Sequence, residues 1–358
     1  MSTPPPSDSD SPLSDEMSWS QSSTHSPSDS SFSAPASPPS SPPVTPPPSP
    51  PPAKPDTPPS PPPAKPDATD ETPKVSVTAQ VTRDAIGLGR TPGQRGAEVI
   101  AGIRAELTNT PEAIALSRTS GRVFTRLLAN MGRNRELLRF IPARMLALTE
   151  VVKRSIPKDK PNLLLVEIAG GFSPRSIHMA RMLPDARVIE VDLPDVVEEK
   201  QRRLKSGHIE VPPNLSWLTA DLGVTNLADV LGGEKADIVC AEGLNLYFKP
   251  DEIIKMNGFV RQALVKNGLF ITEVYYQSKF AEARQNPNIN SMIAFFLRQA
   301  GQIPGLADSE ATVDRWFTEA GFGTLKRTSI SDVMREIGEP VPLLDVAIIV
   351  TAHNDAAE

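Results

Sequence analysis

The chain has 358 residues, 37 of them Lys or Arg and 43 Asp or Glu, for a formal net charge of −6, and it contains one cysteine. That length admits one large domain or two ordinary ones, and a lone Cys240 excludes an intrachain disulfide and fits a reducing compartment. The start lacks the basic and apolar regions of a secretory signal, and no apolar run reaches the ~18 residues of a membrane span, so the expectation is a cytoplasmic protein with no membrane partner.

The first 75 residues differ from the rest. Of the 39 prolines, 24 precede Lys74, among Ser, Thr, Asp and Ala. Too few apolar side chains stand there to offset the entropy of ordering, which predicts a disordered Pro/Ser-rich tail over 1–75. Within it "PPSPPPAKPD" at 47–56 recurs at 58–67, a polyproline II spacer. A solvated spacer is the plain reading; a docking arm for a proline-binding module on residues 1–75 is the functional one. The tail also holds the charge imbalance, with nine acids against three lysines up to Lys74, leaving 34 of each sign in the body. A formally neutral body argues against nucleic acid as a partner.

From 76 to 157 the apolar residues recur three and four apart, in "GAEVIAGIRAEL", "GRVFTRLLANM" and "IPARMLALTEVVKRSI", which predicts a helical cap segment. The period then changes. "NLLLVEIA" (162–169) is an apolar run suited to a strand buried on both faces. "SPRSIHMARML" reads as a helix with Ser173 as N-cap and Pro174 in first position. Strands follow at 186–193, 215–222, 236–244 and 268–276, with helices between them. At the end, "TVDRWFTEAGFGTLKRTSI" reads as helix then strand, and "LLDVAIIVTAH" as a last strand reached with no helix between. The expectation for 158–358 is an α/β domain with a doubly wound, seven-stranded, mostly parallel sheet, Rossmann-like, whose terminal strand pair places one strand antiparallel.

Ligands of such sheets bind beyond the carboxyl ends of the strands. Here an acid stands at that edge on strand after strand: Glu167, Glu190 and Asp192, Asp221, Glu242 and Glu273. Any one of them alone reads as a cap or a solvated loop acid. Gathered at one edge they repel, and a cationic or hydroxyl-rich ligand would relieve that. Asp192 lies 21 residues after Gly171 at the end of the second strand, the place from which a carboxylate accepts from ribose hydroxyls. The turn before it, Ala169-Gly170-Gly171-Phe172-Ser173-Pro174-Arg175, lacks the later glycines of G-x-G-x-x-G. Close backbone approach without a pyrophosphate cradle suits a cofactor lacking phosphate.

"VEIAGGFSPR" and "VIEVDLPDVVEEK", followed by "LTADL" and "AEGLNLYF", resemble the class I S-adenosylmethionine-dependent methyltransferases. The similarity is greatest to the branch of leucine carboxyl methyltransferases and tetracenomycin-type polyketide O-methyltransferases. It covers about 140–350, and the helical 76–140 segment matches in position only. What it implies is S-adenosyl-L-methionine as cofactor. The turn after Glu167, from Ala169 through Gly170 and Gly171, would approach its methionine part and Asp192 its ribose. Asp221 and Leu222 would flank the adenine, and Glu242 would sit near the amino group. An arginine of a preceding helix would meet the methionine carboxylate, with Arg144 the candidate and Arg135 the reserve; a solvated helix face is the other reading of both. The family's Arg-rich helix with an aromatic is here only "IPARM".

Methyl transfer from a sulfonium is an in-line displacement that depends on alignment and exclusion of water. None of His25, His178, His208 and His353 follows the fourth strand, which leans toward a carboxylic acid or an already acidic phenol as acceptor, since neither needs a base. Tyr247, with Phe248, either lines the methyl channel or packs under the next helix. Tyr275 and Tyr276 end the fifth strand, where one could orient a small-molecule substrate. Segment 277–310 is longer than a connection needs and reads as a lid or as core packing. No metal-ligand spacing is present. Two other classes stay open: a nicotinamide-dependent oxidoreductase, and a non-catalytic binding protein with a degenerate methyltransferase core. Methylation of a protein C-terminal carboxyl is a sub-case of the leading reading.

Overall fold

The computed structural model describes residues 92–130, 134–157 and 160–355. The Pro/Ser-rich tail, its repeat and docking role, and the first part of the helical segment lie outside the described residues. The described residues all fall in one compact unit, so the described helices and the sheet share a body.

Among the described residues five helices precede the sheet: α1 (Pro92–Thr108), α2 (Pro111–Leu116), α3 (Thr119–Ala129), α4 (Asn134–Leu138) and α5 (Phe140–Ser155). The sheet then forms from β1 (Leu164–Ile168), β2 (Arg187–Asp192), β3 (Leu215–Thr219), β4 (Ala236–Ala241), β5 (Leu264–Tyr276), β6 (Leu306–Ala307), β7 (Leu325–Ser329) and β8 (Ala347–His353). Between strands run α6 (Arg175–Met182), α7 (Pro194–Ser206), α8 (Leu227–Val230), α9 (Pro250–Gln262), α10 (Gln277–Ala283), α11 (Pro287–Ala300), α12 (Glu310–Thr318) and α13 (Ile330–Glu336). The strand order is β3-β2-β1-β4-β5-β8-β7, with the two-residue β6 beside the end of β5. β1 to β5 pair in parallel, and β8 is antiparallel to both β5 and β7. The doubly wound, mostly parallel sheet with one antiparallel strand is therefore as expected.

Strand alternation divides the core in two. Leu165, Val188, Ile238, Cys240, Ile271, Tyr275 and Ile349 face a layer built from α1, α5, α6, α7, α11 and α13. Val166, Ile189, Val239, Phe270, Val274 and Val350 face α9 and α12, with Trp316 and Phe317 fully buried between. Cys240 is an interior residue as anticipated, and burial pushes its thiol up to about 12.

Three expectations change. The last two strands are not joined directly, because α13 stands between β7 and β8 and buries Ile330, Val333 and Met334. "ISDVMREI" carries that helix: Ser329 caps it by accepting from the Asp332 N–H, and a seven-residue helix is too short to stand out against a strand pattern. The helix after the glycine turn begins at Arg175, one residue later than expected, with Pro174 at the N-cap; the Ser173 hydroxyl still accepts from the Arg175 N–H at 3.3 Å. β3 stops at Thr219 and β4 at Ala241, which leaves Asp221, Leu222 and Glu242 on the loops beyond.

Helix α1 crosses α3 at a pair of glycines. A Cβ on Gly102 would stand 2.8 Å from the carbonyl carbon of Gly121, backbone that cannot turn aside. Gly102→Ala should lower stability by about 1–3 kcal/mol. Gly258→Ala, inside α9 where an added Cβ meets nothing within 4 Å, should raise it by about 0.5–1 kcal/mol. Urea unfolding of both variants decides it; equal shifts of the same sign would contradict the close crossing.

Candidate active site

The alternation that makes the core also gathers the acids. Glu167, Glu190 and Glu273 have the parity of Leu165, Val188 and Ile271, so their side chains leave the sheet on the face covered by α1, α5 and α6. All three are fully buried. Glu242 joins them from the loop after β4. Four like charges so close call for counter-ions, and the chain itself supplies four.

Glu242 is met by three arginines. Arg104 of α1 donates to its Oε1 at 2.9 Å and Arg144 of α5 to the same oxygen at 3.1 Å. Arg175, the first residue of α6, donates to Oε2 at 2.9 Å and with its other terminal nitrogen to Glu167 Oε1 at 2.8 Å. Arg144 also donates to Glu273 Oε1 at 3.1 Å, whose Oε2 accepts from the Tyr275 hydroxyl at 2.9 Å. Lys200 of α7, fully buried, donates to Glu190 Oε1 at 2.6 Å, and the Ser176 hydroxyl donates to Oε2. Burial alone would raise the pKa of Glu242, yet the arginines outweigh it and hold the carboxyl below its usual range. At Glu167 and Glu273 burial wins, and each is raised.

Arg104, Arg144, Glu242 and Tyr275 of this cluster line one wall of a cavity of about 450 Å³. Ala97, Ile100 and Arg104 of α1 line it at helical spacing, as do Phe140, Ile141 and Arg144 of α5. The glycine turn, Asp192, Leu193 and Val196 form another side, and Glu242 to Phe248 a third. Phe280 of α10 and Met292, Ile293, Phe296 and Leu297 of α11 cover the top, with Ile303, Leu344 and Val346. Segment 277–310 thus covers the cavity while Met292 and Ile293 are also buried, so the lid and packing readings describe the same residues.

The glycines answer two constraints. Ala169 and Gly171 have φ of 52° and 53°, the left-handed region that turns the chain sharply out of β1. A Cβ on Gly170 would lie 3.0 Å from Glu190 Oε1 and 3.1 Å from Glu167 Oε1. The close approach at Gly170 therefore comes from the buried carboxylates beneath the turn as well as from the cavity above it. Gly171 in turn gives its N–H to Asp192 Oδ2 at 2.7 Å, and Leu193 gives its own to Oδ1 at 2.7 Å. Burial raises the pKa of Asp192, against the pull of those two N–H groups, and the side chain still borders the cavity.

Of the residues singled out in the sequence, the cavity brings together Arg144, Ala169, Gly170, Gly171, Asp192, Glu242, Tyr247 and Tyr275. Glu167 lies behind them under Arg175. Asp221 is exposed and accepts from the Gly223 N–H at 3.0 Å, and Leu222 is buried; neither is in the lining, though a Cβ on Gly223 would touch the cavity residue Phe248 at 3.2 Å. Arg135 is exposed. Tyr276, one residue along β5, points into the opposite core with Val274. Arg104, Arg175 and the role of Lys200 were missed. Arg104 had a visible sign, an arginine on the apolar stripe of Ala97 and Ile100. No histidine lines the cavity among the described residues; His178 stands on α6, 3.7 Å from Glu112. Nor does any group of His, Cys, Asp or Glu there suit a metal ion. No helix among the described residues is long and apolar enough to cross a membrane.

The lining sets guanidinium groups and a carboxylate side by side, with a second carboxylate, Asp192, at the glycine turn. Residues 105–259 match the leucine carboxyl methyltransferase family. The resemblance read from the sequence therefore holds, and its cofactor is S-adenosylmethionine. The match begins inside α1, well before 140, so the likeness extends to the cap helices as well. Among curated proteins none matches. Solved structures with some likeness include magnesium protoporphyrin IX methyltransferase from Synechocystis PCC 6803 with bound SAH, 15% identical over 66% of this chain and 94% of that one, with a TM-score of 0.43. An O-methyltransferase family 2 protein from Planctomyces limnophilus DSM 3776 in complex with apigenin is 13% identical over 68% of each chain, at 0.40. An O-methyltransferase family protein from Burkholderia thailandensis is 14% identical over 66% and 63%, at 0.42. At such low identities and scores the assignment rests on the family match and the site.

The methyltransferase residues fit the cofactor in two observable ways. Arg104 borders the cavity with a buried Nε–H that has no partner, a donor to spare for a carboxylate. A Cβ on Gly243, at φ 69°, would stand 3.1 Å from Arg144 Nη2, so glycine there leaves the guanidinium open to the cavity.

The Glu190–Lys200 pair beneath the glycine turn makes a separate test. Lys200→Met should cost about 3–5 kcal/mol by leaving a buried carboxylate uncompensated. Glu190→Leu combined with Lys200→Met should recover most of that in urea unfolding. A double variant no more stable than the single would contradict the pair's being a matched, self-contained unit.

Proposed function

We propose that this methyltransferase transfers the methyl group of S-adenosylmethionine to an oxygen, carboxyl or hydroxyl, of a small molecule. The observation that carries the reading is a cavity with a charged wall suited to an amino-acid end and an apolar cover suited to the body of an organic acceptor. Bound there, S-adenosylmethionine supplies an electrophilic methyl group whose transfer discharges a sulfonium.

The chain's own residues then have separable tasks. Arg104 and Arg144 would hold the cofactor's carboxylate, Glu242 its ammonium group and Asp192 its ribose hydroxyls. Asp192 has both oxygens engaged by N–H groups, yet an ionised carboxylate offers about four acceptor sites, so two remain. Asp221 and Leu222, on the loop beside Phe248, would approach the adenine. The cover of α10 and α11 excludes water, which strengthens every polar contact inside. The Tyr275 hydroxyl donates a hydrogen bond to Glu273 and keeps lone pairs free on its oxygen, so it can accept from an acceptor hydroxyl; Tyr247, 39% exposed at the lining, would guide the acceptor. A carboxylate acceptor needs no base, and none of the lining residues is a histidine.

A nicotinamide dinucleotide suits this wall poorly. Its pyrophosphate would face Glu242 and Asp192, and the glycine signature that cradles phosphate is incomplete. A protein C-terminus as acceptor would have to enter beneath α10 and α11, which favours a small molecule. In calorimetric titrations of the full chain, S-adenosylmethionine should bind with micromolar affinity and NAD should not. Asp192→Ala should weaken the former about 10-fold or more without lowering thermal stability to match. Binding of NAD in preference, or an Asp192→Ala affinity equal to the parent's, would overturn the assignment.

A further inference from the structure

Three guanidinium groups on one carboxylate is more than charge balance requires, and the three are not equivalent. Arg104 and Arg144 share Glu242 Oε1, and both line the cavity. Arg175 holds Oε2, is fully buried, and does not reach the lining. Its second contact is Glu167, also fully buried. The acids Glu167, Glu190, Glu242 and Glu273 are matched one for one by Arg104, Arg144, Arg175 and Lys200, so the formal charges of the cluster balance.

We propose that Arg175 is the fixed partner of Glu242 while Arg104 and Arg144 are exchangeable ones, drawn off by the zwitterionic amino-acid end of a ligand; Arg175 is a positioning residue for recognition of the ligand's ammonium group. The proposal rests on the reading of the cavity as the cofactor site. A zwitterion brings one charge of each sign and keeps the cluster neutral. Its carboxylate takes guanidinium N–H groups from the cavity side, where Arg104 already has a spare donor at Nε, and its ammonium group replaces them at Oε1. Glu242 would then have lost two of its three cations in a nearly water-free place. The one that cannot leave is Arg175, anchored from behind by Glu167. It keeps Glu242 ionised and pins Oε2, which leaves Oε1 aimed into the cavity. A ligand with the same nucleoside but no amino-acid end exchanges nothing, so Arg175 is immaterial to it.

The test compares S-adenosylhomocysteine with methylthioadenosine, which lacks the amino-acid end, by calorimetry on the full chain. Arg175→Gln should weaken S-adenosylhomocysteine at least ~30-fold and leave methylthioadenosine within about twofold. Arg175→Lys, which keeps the charge, should recover part of the loss. Equal losses for the two ligands would show a merely structural role and overturn the proposal, as would unchanged binding of S-adenosylhomocysteine. Should Arg175→Gln fail to fold by circular dichroism, Arg175→Lys carries the same comparison. A selective loss then supports the proposal, and an equal loss or none overturns it. Failure of the parent to bind either ligand would sink the cofactor reading and the proposal with it, whereas a parent that binds both isolates the role of Arg175.

Discussion

Everything at the working end of this protein depends on a buried exchange of charge between sheet and helices. Four glutamates at the carboxyl edge of the sheet cannot be ionised together without counter-ions, and removing any one partner of such a cluster is strongly destabilising. The cations come from four different helices: Arg104 from α1, Arg144 from α5, Arg175 from α6 and Lys200 from α7. Each salt bridge therefore ties a helix to the sheet at the site. The cap helices are held over the strand ends by the same contacts that would receive a ligand, which links the stability of the cap to the chemistry beneath it.

Much of the fold was legible in the sequence because the signals were local. The run from Leu163 to Ile168, the Gly170–Gly171 turn and the acids ending successive strands follow from period and spacing alone. The short α13 was not legible, since seven residues carry two turns of pattern, and the Ser329 cap is a weak sign by itself. The site was legible on one side only. The strand ends gave the positions of Glu167, Glu190, Glu242 and Glu273, and their mutual repulsion was read as needing relief. The relief was assigned to a ligand, whereas Arg104 lies 138 residues from Glu242 and Arg144 lies 129 from Glu273, distances over which no pattern speaks. Gly170 shows the same limit: its glycine was attributed to a ligand above, and the two carboxylates below are a second, independent cause.

The division of labour between the walls of the cavity bears on what the protein can accept. The charged wall is polar and balanced in formal charge, with Arg175 and Glu167 holding Glu242 from behind. The cover is apolar and built on α10, α11 and the loop before β8, elements whose side chains can differ without disturbing the sheet. Gly305 fixes that cover to the loop carrying Glu242: a Cβ there would fall 1.8 Å from the Asn245 carbonyl oxygen, and Asn245 is itself bound to the Glu273 carbonyl at 3.1 Å. The apolar cover and the charged wall thus meet at one short loop, 242–248, which carries Glu242, Tyr247 and Phe248 together.

The most direct measurement of the central claim is a crystal structure of the protein with S-adenosylhomocysteine. The account predicts the ligand's amino group on Glu242 Oε1 and its carboxylate on Arg104 and Arg144, with Arg175 still on Glu242 Oε2. A ligand bound with Arg104 and Arg144 both remaining on Glu242, and its amino-acid end elsewhere, would contradict it.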